Sequence, residues 1–116
     1  MPRPDYVDSH AHIDLCEDED AAGIVGAAAA VGVSRIVTVG TDLASSRQAA
    51  THARCFPGVL ATAGIHPHGA AAANDAALNE LAALATSGDI VVIGETGLDF
   101  FRDLSPRDAQ RSLFIS

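Results

Sequence analysis

The segment Asp8-Ser9-His10-Ala11-His12 closes a short apolar run and carries two imidazoles two residues apart. Side chains alternate along a strand, so His10 and His12 would face the same way, about 6.7 Å apart along it. Two imidazoles on one face can converge on one metal ion. Asp8 would share that face one layer deeper, where a carboxylate can buttress a ligand. The plainer reading is a pair of polar residues at a strand end, hydrogen-bonded to their neighbours. A second H-x-H occurs in Gly64-Ile65-His66-Pro67-His68, where Pro67 stiffens the turn. There His66 is either a contact beside a metal, a proton donor to a substrate, or a loop stabiliser, since imidazole titrates near neutrality. His68 reads as loop-stabilising. A third segment, Ile93-Gly94-Glu95-Thr96-Gly97-Leu98-Asp99, ends an apolar run in a carboxylate. Glu95 can bridge two divalent ions, accept a proton or cap the next turn. Two His and a Glu form a mixed nitrogen and oxygen set suited to Zn²⁺, Mn²⁺ or Fe²⁺. Asp99 could ligate an ion, but reads first as a turn cap or as an ion-pair partner of Arg102. Arg102 could clamp a substrate phosphate with its planar guanidinium, or pair with Asp103 on the surface.

These residues must be held by elements, and the apolar pattern supplies them. Short β-rich runs cover residues 6–9, 35–39, 59–64 and 90–94. Helical segments are expected over 21–31, 43–55 and 75–86, the last with Leu78, Leu81 and Leu84 at helical spacing. The acidic run Glu17, Asp18, Glu19, Asp20 would complement the N-terminal dipole of the first helix. Gly40 reads as a tight turn after the second strand, with Thr41 or Asp42 as the next N-cap. His52 falls inside that helix with no partner motif. A fourth helix is expected from Ser105 as N-cap, Pro106 at N1 and Asp108 at N3. The order β-α-β-α-β-α-β-α predicts parallel strands with right-handed crossovers. Strands this apolar suggest a sheet covered on both faces. Four units in 116 residues is about 29 residues each, so eight would need roughly 230, close to the ~250 of a (β/α)₈ barrel. The fold class is therefore α/β, with this chain supplying about the first four units of such a barrel. Every polar group singled out follows a strand's C-terminal end, where α/β folds bind ligands. A four-stranded piece exposes two strand edges, through which copies could self-associate.

Charge narrows the function. Lys plus Arg number 7 and Asp plus Glu 15, a net charge of −8. Such a chain has no broad basic face for nucleic acid phosphates, so any action on phosphate needs positive charge from elsewhere, as from a metal ion. No apolar run approaches the ~20 residues of a membrane span. The first residues lack a signal peptide's apolar region, and Cys16 and Cys55 do not make a disulfide framework, so a cytoplasmic location with reduced thiols is expected.

Taken together, D-S-H-A-H-I-D at 8–14, V-T-V-G-T-D at 37–42, A-G-I-H-P-H at 63–68 and I-G-E-T-G-L-D-F-F-R-D at 93–103 resemble the TatD family of metal-dependent deoxyribonucleases. That family lies within the amidohydrolase-like (β/α)₈ superfamily. The resemblance runs through L-S-P-R-D-A-Q-R and spans essentially the whole chain as an N-terminal half, residues 1–116. It implies one or two divalent ions (Mg²⁺, Mn²⁺ or Zn²⁺) and phosphodiester hydrolysis of DNA, often 3′→5′. It implies that His10 and His12 are metal ligands and that Glu95 is a catalytic ligand shared between two ions. His66 would lie in the active-site mouth. The family's second half brings two more His ligands and a late Asp, which have no counterpart among these residues. Rival expectations are amide or ester hydrolysis on the same scaffold, and a non-catalytic metal-binding or self-associating half-barrel.

Overall fold

The computed structural model describes residues 4–16 and 20–116. Four strands, β1 (Tyr6–Ala11), β2 (Val33–Val39), β3 (Val59–Ala63) and β4 (Ile90–Ile93), alternate with helices α1 (Ala21–Ala30), α2 (Leu43–Cys55), α3 (Asp75–Ala85) and α4 (Arg107–Ile115). Single 3₁₀ segments follow β1 (Ile13–Leu15) and β3 (Pro67–Ala72). The strands pair in sequence order, β1-β2-β3-β4, and all three pairings are parallel. Sequential order with right-handed crossovers, the rule for parallel strands, puts α1, α2 and α3 on the same face of the sheet, and α4 packs on the 3₁₀ segment after β3. This is the first half of a (β/α)₈ barrel, as the alternation predicts.

Local chemistry sets each element's start. The Asp20 carboxylate accepts the Gly23 N–H at 2.8 Å and starts α1. Its neighbours Glu17, Asp18 and Glu19 lie outside the described residues. Asp42, one of the two residues expected to cap α2, does so: its carboxylate accepts from the Ser45 N–H at 2.7 Å. The Ser45 hydroxyl in turn accepts the Asp42 N–H at 3.0 Å, closing a capping box. The Asn74 side chain opens α3 in the same way, through the Ala77 N–H at 2.8 Å. Bonds from the Ser45 N–H and hydroxyl hold the Asp42 carboxyl below its ordinary value. A carboxyl depressed in the folded state stabilises above the unfolded pKa, and that contribution is lost as pH falls through the folded pKa. Asp42→Ala is therefore expected to cost about 1 kcal/mol at pH 7. The gap from the parent chain should close in acid, which melting curves at the two pH values would test.

Two expectations are corrected. Ser105 does not cap α4: Pro106 stands at the N-cap and makes no side-chain cap bond. Ser105 is instead buried, its hydroxyl donating to the His68 carbonyl at 2.7 Å and accepting the Ala71 N–H at 3.1 Å. A tertiary bond to the loop after β3 outcompetes the local cap. Nor is the sheet covered on both faces. The core lies between sheet and helices, around Ile13, Ile36 and Val59 with Ile24, Val25 and Phe56 against them. Ala49 and Ala50 of α2 and Ala61 and Ala63 of β3 are fully or almost fully buried, small side chains that let α2 lie close on the sheet. By contrast Val91, Val92 and Ile93 of β4 are each more than half exposed. The opposite face holds an open depression of about 480 Å³, with Val37, Val39, Thr62 and Val92 in its lining together with His10 and Glu95.

Candidate metal centre

Strand ends are tied to one another before any functional side chain is added. The Gly40 N–H donates to the Thr62 carbonyl at 3.3 Å, and the His66 N–H to the Thr41 carbonyl at 2.8 Å. The Thr62 hydroxyl donates to the Gly94 carbonyl at 2.8 Å, and the Gly94 N–H to the Ala63 carbonyl at 2.9 Å. Buried Ser46 accepts the Gly64 N–H at 3.1 Å. Gly40 is where α2 closes on this lattice: a Cβ there would stand 2.6 Å from the Ser46 Cα. Gly64 is just as confined, because a Cβ would stand 2.7 Å from the Gly94 carbonyl carbon and 3.0 Å from the Glu95 nitrogen. Only glycine lets β3 approach the peptide that presents Glu95.

On this frame His10, His12 and Glu95 converge. Their nearest ligand atoms all lie within 4.8 Å of one another. His10 Nε2 is 3.3 Å from His12 Nε2, and each is 3.6 Å from Glu95 Oε2. Two ligand atoms about 2.1 Å from a tetrahedral ion stand about 3.4 Å apart, so the trio fits a divalent ion of zinc or manganese size without rearrangement. The strand does not run regularly into this site: the β1–β2 register slips between Asp8 and Ala11, and His12 lies just beyond β1. The two rings stand edge to face, with centroids 5.1 Å apart and planes at 77°. His12 Nδ1 lies 3.0 Å from the Val39 carbonyl, an acceptor only. The proton must therefore sit on Nδ1, which leaves the Nε2 lone pair free for a metal. Asp8 does not buttress either ring. Its carboxylate accepts the His10 backbone N–H at 3.1 Å, so it positions His10 through the main chain.

His66 joins the group differently. Its Nδ1 accepts the His68 N–H at 3.1 Å, so in the neutral ring the proton is on Nε2. That Nε2–H faces Glu95 Oε1 at 3.7 Å. In the neutral rings His66 thus offers an N–H at Nε2, whereas His12 offers a bare lone pair there. His68 stabilises the loop, as its sequence suggests: its Nε2 lies 2.5 Å from Asp99 Oδ2. Asp99 is a turn cap, since Oδ1 accepts the N–H groups of Phe101 at 3.1 Å and Arg102 at 3.0 Å. The Arg102 N–H, then His68, hold the Asp99 carboxyl below its usual range. The Arg102 guanidinium pairs with neither Asp99 nor Asp103. Asp103 takes Arg107 instead, at 3.1 Å, and Arg102 is left exposed with no side-chain partner among the described residues. His52 has a buried Nδ1 without a partner and stands away from this group, beside Phe56.

Residue-type reasoning missed Val39, Thr62 and Gln110. Val39 acts through its carbonyl and Thr62 through a hydroxyl inside an apolar strand. Gln110 is buried and bonds Asp99 through both ends of its amide, Oε1 to the Asp99 N–H at 2.8 Å and Nε2 to the Asp99 carbonyl at 3.2 Å. For Thr62 the signal was a polar residue in an otherwise apolar run; Val39 and Gln110 carried none.

Comparison with known proteins is consistent with this arrangement. The family model for TatD related DNase matches residues 7–116. The chain is 41% identical over 97 residues to the "3'-5' ssDNA/RNA exonuclease TatD" of Cronobacter sakazakii, covering 84% of this chain and 37% of that one. It is also 41% identical over 98 residues to an "uncharacterized metal-dependent hydrolase TatD" of Mycobacterium tuberculosis, covering 82% and 37%. The crystal structure of the TatD homolog YJJV from Escherichia coli superposes with a TM-score of 0.78 at 26% identity, over 95% of this chain and 44% of that one. The chain thus spans well under half the length of these relatives. Among the described residues no helix is long and apolar enough to cross a membrane. With the family model matched along nearly its full length and this half-barrel carrying the clustered His-His-Glu set, the chain belongs to the TatD family of related DNases.

Proposed function

We propose that residues 1–116 form the N-terminal half of a TatD-like metallo-hydrolase barrel that cleaves phosphodiester bonds of DNA or RNA. His10, His12 and Glu95 are its ligands to one or two divalent ions, Mg²⁺, Mn²⁺ or Zn²⁺. The observation that carries this reading is the convergence of the three ligand atoms, with the His12 tautomer already set for coordination. When bound, such an ion supplies Lewis acidity and positive charge at a phosphate. The protein's own residues do the rest. Glu95 Oε1 stands 3.7 Å from His66 Nε2, outside hydrogen-bond reach, so the His66 Nε2–H is free to donate to a phosphate oxygen or to the departing oxygen. Arg102, exposed and without an acidic partner among the described residues, grips a neighbouring phosphate in a bidentate contact.

The net charge of −8 disfavours long duplex binding and favours a strand end entering the mouth. Action from the 3′ end of a single strand is supported by the names of the curated relatives. The test uses the purified protein with a 5′-labelled single-stranded oligodeoxynucleotide, with Mn²⁺ or with EDTA, and simple amides and esters in parallel. Stepwise shortening from the 3′ end with metal and none with EDTA is the expected result. Hydrolysis unchanged by His10→Ala, or confined to amides or esters, would overturn it.

A further inference from the structure

We propose that Asp99 and His68 are positioning residues that fix the tautomer and orientation of His66 at the candidate metal centre. This rests on the reading of His66 given above. His68 is held at every polar group but one. Its ring Nε2 meets Asp99 Oδ2 at 2.5 Å, its carbonyl accepts the Ser105 hydroxyl at 2.7 Å, and its N–H donates to His66 Nδ1 at 3.1 Å. Its ring also lies against that of His66, centroids 4.1 Å apart and planes at 66°. His68 therefore touches His66 twice, once through a bond that decides which nitrogen carries the proton and once through ring packing that decides where the ring points.

Asp99 is held as firmly from the other side. It receives two backbone N–H groups on Oδ1, and its own peptide groups are bonded to Gln110, which is 1% exposed. A chain of contacts thus leads from α4 through Gln110, Asp99 and His68 to His66, and from His66 to Glu95. Nothing in it is exposed enough to reorient freely. The His66 Nε2–H is directed at Glu95 because the far ring nitrogen is already engaged, a decision taken two contacts away from the metal ligands. The competing reading makes the His68–Asp99 pair a loop brace with no influence on His66. Asp99→Asn separates the two, since it keeps an oxygen for the Phe101 and Arg102 N–H groups while replacing the carboxylate oxygen facing His68 with an amide donor.

The test is long-range ¹H–¹⁵N correlation of the imidazole rings in the ¹⁵N-labelled chain at about pH 8, where ordinary histidines are neutral. Five histidines make the spectrum assignable. In the parent chain His66 should give one bare Nδ1 and one protonated Nε2 signal. In Asp99→Asn the two His66 signals should move toward each other as both tautomers are sampled, while those of His12 stay in place. His68→Phe keeps the ring packing and the backbone N–H but loses the partner at Asp99, and should produce the same averaging if Asp99→Asn does not fold. Unmoved His66 signals in a folded variant, with only His68 altered, would overturn the proposal. Titrating Zn²⁺ into the same sample reports on His10 and His12 separately, so failure of the metal reading is seen independently of the His66 tautomer.

Discussion

Glu95→Gln is expected to lower divalent metal affinity by roughly 100-fold or more. The comparison is with partners one shell further out, whose loss costs about 10- to 100-fold. Glu95 is the only charged member of the trio, the two histidines binding as neutral rings, so the substitution removes the whole negative charge of the donor set. The size and hydrogen-bonding reach of the side chain are kept, so the fold should be unaffected. The substituted amide would still face His66, because the 3.7 Å contact is made by a carboxyl oxygen that an amide oxygen can replace. Calorimetric titration with Mn²⁺ and Zn²⁺ measures the effect. An affinity within a few-fold of the parent chain would remove Glu95 from the site. Alanine at His12 should have a comparable effect, since that ring is the one whose tautomer the Val39 carbonyl has already selected for coordination.

The second large effect is expected at a residue with no side chain. Gly64→Ala would place a Cβ 2.7 to 3.0 Å from three backbone atoms of the Gly94-Glu95 peptide. Backbone cannot rotate away as a side-chain tip can, so β3 and the end of β4 must separate. Overpacking of this kind costs typically about 1–3 kcal/mol. The same movement carries Glu95 off its ligand position, so metal affinity should fall more than about 10-fold, as for loss of a group that orients a ligand. Gly69→Ala is the control. Its Cβ would meet only the Ile65 Cγ2, at an ordinary 3.6 Å. If the two variants melt together and bind Mn²⁺ alike, the close approach of β3 to the Glu95 peptide is not what holds the carboxylate in place.

Much of the architecture was legible because period and punctuation are local properties. The runs at 35–39, 59–64 and 90–94 became β2, β3 and β4 within two residues at either end. Asp42 announced a helix start and provides one. The failures are failures of partner choice. Ser105 has the sequence of an N-cap, but its hydroxyl finds two partners in the 3₁₀ segment after β3, 34 and 37 residues away, and local propensity yields to them. Arg102 and Asp103 are neighbours, yet Arg107, four residues on at the start of α4, takes Asp103. The apolar strands suggested two covered faces. Apolarity records that a face tends to be buried, not which element does the burying.

The site divides along the same line. Residue types and spacing determined by themselves that two histidines and a glutamate follow the ends of parallel strands, and that together they make a nitrogen and oxygen donor set. They also determined the kinship, because four motifs in order are far more specific than any one of them. Only the tertiary structure decided the roles. It set the His10 and His12 rings edge to face beside Glu95, left Nε2 bare on the neutral His12 ring and protonated on that of His66 by engaging the Nδ1 of one with an acceptor and of the other with a donor, and moved Asp8 from buttress to backbone support. The reason is that a histidine's function depends on which nitrogen keeps its proton. That choice is made by carbonyls and N–H groups whose positions follow from the packing of distant segments, and backbone groups leave no mark in the residue types.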